Sequence, residues 1–86
     1  MIFISLNKFR GKATKENIEK SNKILASDPN VKVLSFYWTL GRYDSVLIIE
    51  APNEKTVMKM LTKVGDYAAT ETMVAIPREE AIKLLE

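Results

Sequence analysis

Within eight positions the chain carries two phenols, Tyr37 and Tyr43, the hydroxyl of Thr39, the guanidinium of Arg42 and the carboxylate of Asp44. Phenols and hydroxyls donate and accept hydrogen bonds, a guanidinium grips an anion in a planar fork, and a desolvated carboxylate can take a proton. The set predicts a binding site for a small molecule, with an anion suited to Arg42. A second chemistry is open to the same residues. It is cofactor-free acid–base catalysis, with Asp44 or Glu71 as general base, Tyr37 or Tyr43 as proton donor and Arg42 holding an anionic substrate. A third reading is purely structural, Tyr37 and Asp44 satisfying each other and the backbone of a turn.

The 86 residues include no histidine and no cysteine. Imidazole bases, thiolate nucleophiles, disulfides and the usual zinc sites are thereby removed, and no cofactor or metal is expected. Met58, Met60 and Met73 have no thiolate beside them and read as core filler rather than a soft-metal site. The net charge of +2 is uneven: residues 1–32 hold seven Lys/Arg against three Asp/Glu, and the remainder six against eight. The basic half is where an anion would be met. Lys8, Arg10, Lys12 and Lys15 read as a solvated loop and helix face, and nucleic acid is not an expected partner. RYDSVLIIE stands where an RNA-recognition module would carry its stacking aromatics. The longest aliphatic run, Val46 to Ile49, is far short of the roughly 20 residues that cross a bilayer. MIFISLNKFR is too soon charged for a secretory signal, so a cytoplasmic protein without membrane contact is predicted.

The elements that must position the site follow from periodicity. Ile2 to Leu6 is β-prone, and Asn7 to Lys12 reads as a basic connection. Thr14 caps a helix over Lys15 to Ser27 with Ile18, Ile24 and Leu25 as a thin apolar stripe, stopped by Asp28-Pro29-Asn30. Val31 to Leu40 and Tyr43 to Ala51 are rich in β-branched and aromatic residues, and Gly41-Arg42 between them suits a two-residue type II′ turn. Asn53 caps a second helix in which Val57, Met60, Leu61 and Val64 recur at helical spacing, with Gly65 at its C-terminal end. Tyr67 to Ile76 is a last strand, and Pro77 opens a short helix using Ala81, Ile82 and Leu85. The order is β-α-β-β-α-β with a helical tail, an α+β, ferredoxin-like plan in one domain over residues 1–86. The first and third strands lie inside a four-stranded antiparallel sheet, with both long helices on one face.

Alternation through a two-residue turn puts Leu34, Phe36, Trp38, Leu40, Tyr43, Leu47 and Ile49 under the helices. Val33, Tyr37, Val46 and Ile48 then fall on the other face with Ser35, Thr39, Asp44 and Glu50. Leaving four such apolar side chains in water forfeits about 1.5–3 kcal/mol each, comparable with the roughly 5–15 kcal/mol that holds a domain together. A homodimer through Val33, Tyr37, Val46 and Ile48 covers them, and the space between the two sheets becomes the cleft for the small-molecule ligand.

The Thr39-x-Gly41-x-Tyr43-Asp44 turn between two apolar runs is followed by Glu50-Ala51-Pro52 and later by Thr70, Glu71 and Thr72. This pattern resembles the GYD-domain family of small bacterial and archaeal proteins over nearly the whole chain. The resemblance implies a dimeric α+β barrel and supplies no catalytic residues. The connection NKFRGKATKEN is less typical of the family. Other dimeric α+β barrel families, among them cofactor-free monooxygenases and small lactone isomerases, share the architecture, but a fold does not carry a function.

Overall fold

The computed structural model describes residues 1–85. Its elements are β1(Ile2–Phe9), α1(Lys15–Ala26), β2(Lys32–Trp38), β3(Ser45–Glu50), α2(Glu54–Leu61), β4(Ala68–Ala75) and α3(Arg78–Lys83). The strands form one antiparallel sheet in the order β2-β3-β1-β4, an α+β ferredoxin-like arrangement with β1 and β3 in the middle, as predicted. Thr14 caps α1 by accepting from the Asn17 amide at 3.1 Å, and Asn53 caps α2 by accepting from Thr56 at 2.9 Å. Both satisfy amides that the first helical turn leaves without a partner.

Two boundaries depart from the sequence pattern. β1 continues to Phe9 through residues expected to form a loop, because β4 pairs alongside it as far as Phe9↔Ala68 and the Arg10 amide donates to Tyr67 O at 2.9 Å. Helix α2 stops at Leu61 rather than reaching Gly65. The Thr62 hydroxyl donates to Lys59 O at 2.8 Å. Gly65 does not adopt the left-handed conformation of a glycine cap, and Gly41 alone among the described residues has positive φ.

Phe3, Leu47, Ile49, Ala51, Val57 and Met60 form the buried core, with Ile24, Leu25, Val31 and Leu61 packed against it. Residues of α1 and α2 thus meet the same sheet face. On that helix face the register also places Ser5, Asn7, Ser45, Phe36 and Trp38, while Ile2, Ile4, Leu6, Tyr37, Val46, Ile48, Met73 and Ala75 lie on the outer face.

Three predicted placements on the hairpin are corrected. The register slips at Leu34, so that Val33 opposes Ile49 and Ser35 opposes Ile48. Such a bulge inverts the alternation before it, and Val33 belongs with the helix face rather than the outer one. The turn is also wider than two residues. The Thr39 amide donates to Asp44 O at 2.9 Å and leaves Leu40, Gly41, Arg42 and Tyr43 as a projecting loop, with Gly41 at φ +103° and Leu40 101% exposed. Leu40 and Tyr43 therefore do not pair under the helices. Bonds to β1 hold the loop open: the Asp44 amide donates to Asn7 O at 2.8 Å, and the Lys8 ammonium to Arg42 O at 3.3 Å. Among the described residues no helix is long and apolar enough to cross a membrane.

Candidate functional site

Most of the hairpin's polar groups are turned to the fold itself. The Asp44 carboxylate accepts the Phe9 amide at 2.7 Å, and the Thr39 hydroxyl donates to Tyr43 O at 2.8 Å. The Tyr43 phenol crosses the outer face and donates to the Glu71 carboxylate at 2.7 Å, with the Arg42 guanidinium 5.7 Å from the centre of its ring. That hydrogen bond, together with partial desolvation and the Glu71 charge, raises the phenol above its ordinary pKa of 10.0, while Arg42 pulls the other way. Tyr37 stands apart on the outer face, 61% exposed and opposite Val46. Of the five residues singled out from the sequence, Tyr37 and Arg42 thus have polar ends without a hydrogen-bond partner among the described residues, Tyr43 is paired, and Thr39 and Asp44 brace the turn.

A largely apolar hollow lies on the other side of the sheet. A cavity of about 340 Å³ separates α1 from the strands and is closed at one end by the turns after α2. Its walls include Phe9, Ile18, Leu25, Phe36, Trp38, Met60 and Tyr67. Phe9 and Trp38 meet edge to face with ring centres 5.5 Å apart. The volume lies within the range of small-molecule pockets, which are mostly apolar with a few convergent polar groups.

A run of hydrogen-bonded polar side chains underlies this cavity. Asn7 Nδ2 donates to Ser45 Oγ at 3.0 Å, Ser5 Oγ donates to Asn7 Oδ1 at 2.8 Å, and Thr72 Oγ1 donates to Ser5 Oγ at 3.1 Å. A chain of four polar side chains therefore spans β3, β1 and β4 inside an otherwise apolar layer. Buried polar groups persist only where they are satisfied, so each of these fixes the next. Asn7, Ser45 and Thr70 face the cavity. Above them, the Ser21 hydroxyl donates to the Tyr67 phenol at 3.1 Å and ties α1 across the mouth. Helix α1 contains no fully buried residue, as expected of an element resting on a hollow. Among the described residues no carboxylate lines the cavity, and Lys12 is its charged group.

The family model for the GYD domain matches residues 8–85. The chain belongs to the GYD domain family. A relative from Thermus thermophilus, named glutamine synthetase and cystathionine beta-lyase binding protein, is 33% identical over 73 residues, covering 83% of this chain and 77% of that protein. Among solved structures, a hypothetical protein from Pyrococcus horikoshii superposes with a TM-score of 0.57 at 27% identity, over 90% of this chain and 92% of that one. A dimeric ferredoxin-like protein of unknown function from Thermobifida fusca superposes with a TM-score of 0.52 at 15% identity, over 86% and 89% of the two chains. The last likeness is one of fold alone.

In this GYD domain the two segments that carry the family resemblance are brought together by the fold. Tyr43 of the Gly-x-Tyr-Asp turn bonds Glu71, while Thr70 and Thr72, its neighbours on β4, face the other way toward the cavity floor. The residues missed from the sequence are Ser5, Asn7, Phe9, Trp38 and Ser45. A signal for part of this set was present. Ser5 and Asn7 interrupt an apolar strand at the same alternate positions as the core residue Phe3, a place where side chains without partners are costly.

Proposed function

We propose that this GYD domain is a homodimeric binding protein whose small, largely apolar ligand occupies the cavity between α1 and the sheet. The observation that carries the reading is the 340 Å³ hollow with an ordered polar floor. The lack of a lining carboxylate among the described residues favours binding over acid–base catalysis, because proton transfer needs a base within hydrogen-bond reach. The hairpin then serves the assembly. Tyr37, Arg42 and the Tyr43–Glu71 pair border the outer face, which a second copy covers, and an anion between the sheets would meet Arg42 there.

Filling the cavity tests the reading. Ala68, nearly buried on its wall, becomes phenylalanine in Ala68→Phe. A ligand present at 100 times its dissociation constant stabilises the wild-type chain by about 2.7 kcal/mol, and the variant should fold yet show no such shift in melting. A metabolite that stabilises both proteins equally would remove the cavity from the function.

A second reading is a docking module for other proteins. It is supported by the name of the Thermus relative and by Leu34, Phe36, Trp38 and Leu40, all exposed along β2 and the hairpin tip. Size-exclusion chromatography with glutamine synthetase tests it, and separate elution of the two proteins at micromolar concentration would sink it.

A further inference from the structure

The chemistry of the cavity narrows its guest, given the reading that the cavity binds one. Ser45 is 1% exposed, and its hydroxyl accepts from Asn7 but donates to no group among the described residues. Thr70, on the adjoining wall, likewise gives its proton to no group among them. Two hydroxyl donors therefore border the hollow, Ser45 buried in its floor and Thr70 half-buried on its wall. A hydroxyl that a ligand strips of water without giving it an acceptor is costly, so the complementary ligand presents an acceptor such as a carbonyl oxygen.

Two further groups set the ligand's body and its far end. Phe9, Phe36, Trp38 and Tyr67 all line the cavity, and a flat ring system makes offset or edge contacts with such walls that an alkyl chain cannot. Lys12 lies at the opening beside Thr14 and forms no ion pair among the described residues. Its ammonium suits an anionic substituent directed outward. The 340 Å³ equals the share of roughly ten waters in the liquid, room for a two-ring molecule with both substituents.

We infer that the ligand is a planar aromatic anion, its carbonyl-type acceptor held by Ser45 and Thr70, its rings against Phe9, Phe36 and Trp38, and its acidic group at Lys12. The polar floor reads the acceptor and orients the rings. Lys12, being exposed, contributes selectivity for the anion more than affinity.

Calorimetric titration with 6-acetyl-2-naphthoate, which has both polar ends, tests the inference against three comparators. These are 2-naphthoate without the carbonyl, 2-acetylnaphthalene without the charge, and decanoate without the rings. The acetylnaphthoate should bind tightest. Thr70→Val, nearly isosteric, and Ser45→Ala should each weaken it and 2-acetylnaphthalene about fivefold, leaving 2-naphthoate within twofold. Lys12→Ala should weaken the acetylnaphthoate about threefold and not touch 2-acetylnaphthalene. Because Ser45→Ala also takes an acceptor from Asn7, Thr70→Val decides if that variant does not fold. Decanoate binding as tightly as the acetylnaphthoate, or no response of any ligand to Thr70→Val and Lys12→Ala, overturns the inference while leaving the cavity in use. Binding of these probes unchanged in Ala68→Phe would instead overturn the cavity reading itself.

Discussion

Tyr43 and Glu71 are separated by 28 positions in the chain and joined by one short hydrogen bond. The phenol must stay protonated to donate it, and its pKa is accordingly raised in the folded protein, the bond to Glu71 being the largest cause. A group whose pKa is higher folded than unfolded stabilises the native state fully below its unfolded value. That contribution disappears as pH climbs through the raised folded value, here above 10.0. Ultraviolet difference titration of the wild-type protein against Tyr43→Phe should isolate a tyrosine with a midpoint above 10.0, and Glu71→Gln should bring it down. A midpoint indifferent to Glu71→Gln would show that the pair does not form in solution. Asp44 illustrates the reverse lesson at the same scale. A carboxylate that reads as a catalytic candidate spends its charge on the Phe9 amide, holding the end of β1.

At the scale of elements, the hairpin shows how tertiary bonds override local turn preference. Gly41-Arg42 is good type II′ chemistry, yet Lys8 and Asp44 pull the loop toward β1 and widen it. The widened tip leaves Leu40 fully in solvent, touching nothing whose loss would destabilise the fold. Leu40→Asp should therefore melt within about 0.5 kcal/mol of the wild type. If the tip docks on another protein, the same substitution should abolish co-elution with glutamine synthetase at unchanged stability. Retained co-elution would clear the hairpin of that role. The bulge at Leu34 is the second lesson: one extra residue in an edge strand turns Val33 inward, and no composition rule anticipates it.

The whole molecule has a radius of gyration of 13.8 Å, against roughly 12 Å for a compact chain of this length. Its longest dimension is 48 Å. Ile82, Leu84 and Leu85 at the C-terminal end are exposed together with Met73, and Ile2, Ile4, Leu6, Val46 and Ile48 on the outer face are only half covered. An apolar face of this extent, larger than the four side chains foreseen, is what a self-complementary two-fold contact removes from water. Ile48→Lys sets an ammonium in the middle of that face. Sedimentation should find a dimer for the wild-type chain and a folded monomer for the variant, and a dimer that survives the substitution would place the contact elsewhere.

Local chemistry was enough to read the element order, the caps at Thr14 and Asn53, the central strands and the family, because periodicity, cap residues and the Thr-x-Gly-x-Tyr-Asp turn are short-range signals. It was enough, too, to divide Phe36, Trp38, Leu47 and Ile49 from Tyr37, Val46 and Ile48. What tertiary structure alone decided is where a cavity opens. The hollow exists because α1 rests over Asn7, Ser45 and Thr70 drawn from three strands, and residues far apart in the chain converge there only through strand register. Register is set by pairings across the sheet, which no local pattern of residues records.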